Sequence, residues 1–301
     1  MELVSADASG RPHFTAYLSK YLQENVLPLK VTFKGVHPGS RDAGPCTIVI
    51  RLSWQHLGLN SPVSFEPGDL LGVLPENSND MVSKLLKRLH LDSNFTSFVV
   101  QRLMIQKKTL TMEGPREEWV PYENLPPATI YEWFKKFLDI TTPPTQLLLS
   151  EVSTYATNQT EKENLNLLSQ DVGVYEQWKH SNRPTILSFL EAFPSLSIPP
   201  EAIISKIPLM KPRYYSVSSC LSMSLPTSVD LIVGVVKFTT EDGSSRNGLC
   251  SMYLNEAAVG TIVNAFFRRF VSVIFTVFYY KVSREGRFSS MKILQGLFLL
   301  E

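Results

Sequence analysis

Pro212-Arg213-Tyr214-Tyr215-Ser216-Val217-Ser218-Ser219 is the stretch on which the reading of this 301-residue chain turns. Aromatic and β-branched residues between a proline and a pair of serines make a short strand. Side chains alternate along a strand, so Arg213 and Tyr215 share one face while Tyr214 and Ser216 share the other. The segment thus offers a guanidinium, two aromatic faces and a hydroxyl. An aromatic ring can stack on a flat heterocycle, and an arginine fork can pair with two oxygens of a diphosphate. Taken alone, the same four residues also fit a tyrosine-rich strand that packs its rings in a core.

Downstream, Val229-Asp230-Leu231-Ile232-Val233-Gly234-Val235-Val236-Lys237-Phe238 has strand character, and Glu241 to Asn247 is a polar turn. Gly248-Leu249-Cys250-Ser251 then opens a helix that runs to Glu256. A helix start presents unbonded N–H groups and the positive end of the dipole, which suits a phosphate. Glycine permits close backbone approach, and Cys250 and Ser251 are too small to block it. By itself this is an ordinary helix start; across a hairpin from Arg213 to Ser216 it becomes a specific pairing.

Upstream, Leu29-Lys30-Val31-Thr32-Phe33, Thr47-Ile48-Val49-Ile50-Arg51-Leu52 and Leu70-Leu71-Gly72-Val73 read as antiparallel strands joined by glycine and proline turns. The period then becomes helical. Asn79 or Asp80 can cap a helix bearing Met81, Val82, Leu85, Leu86 and Leu89. A second helix follows Pro126-Pro127 with Ile130, Phe134, Phe137 and Leu138 on one face, and others are expected at 161–179, 184–193 and 200–206. The β, α, β order predicts an antiparallel barrel split by a helical insertion. The expected divisions are an N-terminal extension (1–25), the first part of the barrel (26–77), the helical insertion (78–205), the second part (206–269) and an atypical tail (270–301).

The totals narrow the function classes. A hydrophobic content of 44% supports a full core. Twenty-nine basic against 28 acidic residues leave a net charge of +1, so no overall field draws the chain to nucleic acid or an anionic membrane. Cys46, Cys220 and Cys250 are an odd number without metal-ligand spacing, which points to a reduced, cytoplasmic chain. His13, His37, His56, His90 and His180 are scattered without partners, so no metal site is expected. The apolar run from Phe270 to Tyr280 is about half what a membrane-crossing helix needs. Lys84, Lys87, Arg88, Lys107 and Lys108 read as solvated charge, with docking to an acidic partner domain as the alternative.

The paired motifs resemble those of the ferredoxin-reductase-type flavoproteins and, within them, the diflavin reductases, closest to the reductase half of nitric oxide synthases. Leu125-Pro126-Pro127-Ala128-Thr129-Ile130, Leu138-Asp139-Ile140-Thr141-Thr142-Pro143-Pro144-Thr145, Leu168-Ser169-Gln170-Asp171, Tyr175-Glu176-Gln177-Trp178-Lys179 and Phe193-Pro194-Ser195 extend the resemblance through the insertion. It covers about residues 26 to 268, and the Thr-Thr-Pro-Pro and Tyr-Glu-Gln-Trp-Lys segments set it apart from the microsomal cytochrome and methionine-synthase reductases. The resemblance implies an FAD-binding barrel interrupted by a helical connecting domain. It assigns Arg213, Tyr214, Tyr215 and Ser216 to pyrophosphate and flavin. Ile232, Val233 and Gly234 line the adjacent strand, Phe238 stands where the family usually has a tyrosine, and Gly248, Leu249, Cys250 and Ser251 complete the pyrophosphate site.

Two positions depart from the pattern: Leu70 replaces a histidine after Pro67-Gly68-Asp69, and Pro45 stands where an arginine usually contacts NADP. No FMN domain precedes the segment and no glycine-rich dinucleotide fingerprint follows it, so the NADP-binding α/β domain is expected to be absent. NADPH, FMN and a heme acceptor therefore belong to a complete family member. No catalytic acid, base or nucleophile is expected here, because the flavin carries the chemistry. The competing expectation is a non-catalytic remnant acting as an interaction module. The tail from Phe270 to Glu301 is read as an abnormal end without evolved structure, with a short hairpin or membrane-touching segment as the alternative.

Overall fold

The computed structural model describes residues 24–36, 47–54, 65, 69–91, 99–111, 114–219, 227–241, 243–269, 275–282 and 288–296. The strands in chain order are β1 (Leu27–Val36), β2 (Thr47–Ser53), β3 (Leu70–Leu74), β4 (Met104–Thr111), β5 (Gly114–Pro121), β6 (Arg213–Ser216), β7 (Ser228–Gly234), β8 (Lys237–Thr239), β9 (Ser245–Asn247), β10 (Ile262–Arg268), β11 (Phe275–Val282) and β12 (Phe288–Gly296). The helices are α1 (Asn79–Arg88), α2 (Ile130–Glu132), α3 (Gln146–Val152), α4 (Gln159–Gln170), α5 (Val172–Asn182), α6 (Ile186–Ala192), α7 (Pro200–Ile204) and α8 (Leu249–Glu256).

Six strands form one antiparallel sheet in the order β6-β3-β10-β1-β2-β7. Strands from the two ends of the described chain interleave: β10 lies between β3 and β1, and β7 lies outside β2. Alternation sends Ile48, Ile50 and Leu52 of β2, Leu71 and Val73 of β3, Val229, Leu231 and Val233 of β7, and Val263 and Ala265 of β10 to one core. Helix α8 adds Cys250, Leu254 and Ala257 to it. Arg51 forks onto Asp230 at 2.7 and 2.8 Å, tying β2 to β7.

The expected closed barrel is replaced by an open sheet. All four residues of β6 pair with β3, and the chain just beyond them bridges the opposite edge. There Val217 bridges Leu231, the Ser218 N–H donates to the Asp230 carbonyl at 2.9 Å, and the Asp230 N–H donates to Ser219 Oγ at 3.0 Å. The two edges meet at a corner instead of along a ladder.

The middle of the chain builds a second core around Trp133, Phe134, Leu138, Leu149, Phe189 and Ile203. Helix α1 is capped by Ser78, whose Oγ accepts from the Met81 N–H, and not by Asn79 or Asp80. The helix expected after Pro126-Pro127 is a single turn, α2, capped by a Thr129–Glu132 capping box and running into a π-helix at Trp133–Phe137. The stretch 161–179 is broken at Asp171, which caps α5. The hairpin β4–β5 was not anticipated in this mostly helical region; its charged, largely exposed strands carry no apolar alternation to announce them. Beyond the sheet, the backbones of β11 and β12 pair from Phe275↔Gly296 to Val282↔Phe288 as a hairpin.

Candidate cofactor site

Strand β6 alternates as its sequence predicts: Arg213 and Tyr215 are half-buried, Tyr214 and Ser216 exposed. The guanidinium of Arg213 is held along one side. Its Nη1 donates to the Lys211 carbonyl at 2.7 Å and its Nη2 to Asp139 Oδ2 at 3.1 Å, while 38% of the side chain stays exposed. Asp139 is 3% exposed. Its Oδ1 accepts from the Thr141 N–H at 3.2 Å and the Thr141 hydroxyl at 2.5 Å.

Tyr215 and Cys250 pack in the same sheet core, which brings β6 against the first turn of α8. Burial pushes the Cys250 thiol up to about 11, against the Tyr215 hydroxyl and the nearby Arg213 charge, both of which lower it. Burial also raises Tyr215 well above the usual phenol range, opposed by Arg213. Both groups are therefore neutral at pH 7, and the guanidinium is close enough to influence each. Arg213, Tyr215 and the start of α8 form one cluster.

Gly248 is the N-cap of α8, and no side chain caps that end. A Cβ on it would lie 2.8 Å from both Val236 Cβ and Ser251 Oγ, so only glycine fits. Ser251 is buried; its hydroxyl accepts from the Val236 N–H at 3.1 Å and donates to the Gly248 carbonyl at 3.3 Å. That hydroxyl locks the helix start to the chain leaving β7. Gly248 and Leu249 also line an open cleft of about 720 Å³, together with Asn77, Asp80, Lys135 and Tyr253.

The remaining sequence-derived residues lie elsewhere. Tyr214 is on the opposite face of β6, with its ring edge-on to Phe266 at 6.0 Å and under Arg268 at 5.3 Å. Phe266 reaches that position because Gly72 has no Cβ; one would sit 2.6 Å from its ring. Ile232 and Gly234 face outward, whereas Val233 is fully buried in the sheet core. Phe238 is half-buried on the separate β8–β9 ladder, with the Arg183 guanidinium 4.7 Å from its ring centre. Asp139, Thr141, Val236 and Arg183 complete these contacts and were not singled out from sequence. Leu70 pairs with Ser216, while Pro45, Pro67 and Gly68 lie outside the described residues.

A half-pinned guanidinium, an aromatic ring and a helix start without a side-chain cap are the donor set that a diphosphate-linked ring system needs. The FAD binding domain family matches residues 46–253, more than half of the chain. The chain belongs to the FAD binding domain family. It is 34% identical over 258 residues to the inducible nitric oxide synthase of Gallus gallus, covering 84% of this chain and 21% of that protein. It is 31% identical over 270 residues to nitric oxide synthase of Lymnaea stagnalis, covering 89% of this chain and 22% of the relative. Against the inducible enzyme of Oryctolagus cuniculus, identity is 34% over 244 residues, 79% of this chain and 46% of the relative. The chain spans about a fifth of the length of two of these relatives and just under half of the third. The matched span of this FAD-binding domain runs from the sheet through the helical core to the first turns of α8, and so takes in Asp139, Arg213 and Cys250. Among the described residues, no helix is long and apolar enough to cross a membrane.

Proposed function

We propose that this chain is the FAD-holding module of an NADPH-dependent diflavin oxidoreductase, in which electrons pass from NADPH through FAD to FMN and on to heme. The observation that carries the reading is the clustering of Arg213, Tyr215 and the start of α8. Arg213 presents its open edge to the pyrophosphate, and the N–H groups of Leu249 and Cys250 bind the same oxygens. Tyr215 orients the ring system, with Ile232 and Gly234 along the neighbouring strand and Phe238 at the adenine end. Bound FAD supplies hydride acceptance and one-electron release, and the residues here orient it and exclude water. No proton transfer is assigned to this segment, since bound FAD carries the chemistry.

The corner contact at Val217 and Leu231 supports reading residues 26–77 and 206–269 as one flavin-holding sheet, with 78–205 as the connecting domain. The family resemblance supports an FMN domain and a heme acceptor as partners, and a cytoplasmic setting. A second reading, an interaction module that does not hold flavin, is favoured by Leu70 in place of a polar contact and by the Ser251 hydroxyl, already engaged by Val236 and Gly248.

The experiment is to incubate the full chain with FAD, remove free cofactor, and record the visible spectrum before and after NADPH is added without oxygen. Retained flavin supports the FAD-holding module, and bleaching by NADPH would extend it to hydride transfer by this chain itself. Loss of all flavin overturns the proposal in favour of the interaction module.

A further inference from the structure

The Arg213 guanidinium does not hold its own position. We infer that Asp139, a residue of the helical core, is a positioning residue that aims Arg213 at the pyrophosphate, so that the helical part of the chain sets the affinity of a site built on the sheet. The inference rests on the FAD reading of Arg213.

Three observations carry it. Asp139 is buried and its carboxylate is divided: Oδ1 accepts two hydrogen bonds from Thr141, and Oδ2 is left for Arg213 Nη2. The backbone around it is fixed as well, since the Asp139 N–H donates to the Pro208 carbonyl at 2.8 Å and its carbonyl accepts from Thr142 Oγ1 at 2.8 Å. With Nη1 held by the Lys211 carbonyl, both terminal nitrogens of Arg213 are anchored by one contact each, and 38% of the side chain remains open. An arginine pinned in this way has already lost the rotamer freedom that binding an anion would otherwise remove.

A buried carboxylate beside an arginine could act in the opposite sense, by cancelling the charge that attracts a diphosphate. The two effects predict changes of opposite sign. If orientation dominates, Asp139→Asn weakens FAD binding, because an amide keeps the shape but cannot accept from both Thr141 and Arg213 while placing its NH2 elsewhere. If charge cancellation dominates, the same substitution strengthens it.

The test measures dissociation constants of FAD and of riboflavin, which lacks phosphate, by flavin fluorescence on the full chain. The variants are Asp139→Asn, Arg213→Ala, the double variant and the milder Thr141→Val, which loosens the carboxylate if Asp139→Asn fails to fold. The expected result is a loss of FAD affinity of about tenfold for Asp139→Asn, or about 1.4 kcal/mol, with a smaller loss for Thr141→Val. Riboflavin affinity should not change, and Asp139→Asn should have no further effect in the Arg213→Ala background. Tighter FAD binding, an equal loss in both backgrounds, or an equal loss for riboflavin would overturn the role of Asp139 while leaving Arg213 in place. An unchanged FAD affinity in Arg213→Ala alone overturns the assignment of Arg213, and no FAD uptake by the unaltered chain overturns the flavin reading; either result removes this inference with it.

Discussion

Cys250 shows how one side chain reports its surroundings. Its thiol lies in the sheet core against Tyr215, and burial moves it from its ordinary value of 9.0 to about 11. The folded state therefore holds the proton more tightly than the unfolded chain. Stability is fully present below pH 9 and falls as pH rises towards 11, by at most about 1.4 kcal/mol per pH unit. Chemical denaturation at pH 8, 9 and 10 should show this decline, and Cys250→Ala should reduce it, leaving the part that the raised Tyr215 and Tyr253 contribute as pH approaches 10. An identical slope in the variant would remove the thiol as its source. Arg213→Ala should weaken FAD binding by about 2 kcal/mol, the scale of a lost charge-assisted contact, as read from the FAD dissociation constant. The segments that carry Arg213 and Cys250 were paired from the sequence as a candidate site. Asp139 was not, because its role depends on a contact between residues far apart in the chain.

At the scale of elements, two junctions hold the site in place. Asn77 is fully buried, and its Nδ2 donates to the Phe134 and Leu138 carbonyls, each at 2.7 Å. It thereby satisfies the end of the π-helical segment just before Asp139. Asn77→Ala leaves two buried carbonyls without that donor and should cost about 3 kcal/mol, measured by urea unfolding; a loss under 1 kcal/mol would mean that the segment relaxes to find other donors. The second junction is Gly248, packed against Val236 and Ser251. Gly248→Ala should force the helix start away from β7 and cost about 2 kcal/mol, with a parallel loss of FAD affinity. Apolar periodicity announced α1, α6 and α7, whereas the break at Asp171 and the π-helical segment were missed. The break is set by the Asp171 side chain, which accepts from the Val174 N–H and caps α5, a signal that the apolar period does not carry.

Across the whole molecule, the sheet core and the helical core are separate apolar clusters, and the cofactor-site contacts of Arg213 with Asp139 cross from one part to the other. A ligand bound at that junction stabilises the folded chain by mass action, and FAD at a hundred times its dissociation constant should add about 2.7 kcal/mol. Thermal unfolding with and without FAD checks this: the midpoint should rise in the unaltered chain and barely move in Arg213→Ala at the same FAD concentration. A rise of equal size in both would place the flavin elsewhere.

By itself, the sequence determined the antiparallel strands, the interrupted β, α, β order and the two segments proposed to hold the cofactor. These follow from local alternation, helical period and the small residues at 248–251, all carried within a few neighbours. The tertiary structure decided the rest. Just beyond the short β6, a single bridge from Val217 to Leu231 joins the two sheet edges, so the sheet meets itself at a corner and not as a closed barrel. Val233 turns into the core while Ile232 and Gly234 face out, the Ser251 hydroxyl goes to the fold, and Asp139 takes hold of Arg213. Each of these depends on which distant segments meet, and such contacts are fixed by packing two cores against one another and not by any run of adjacent residues.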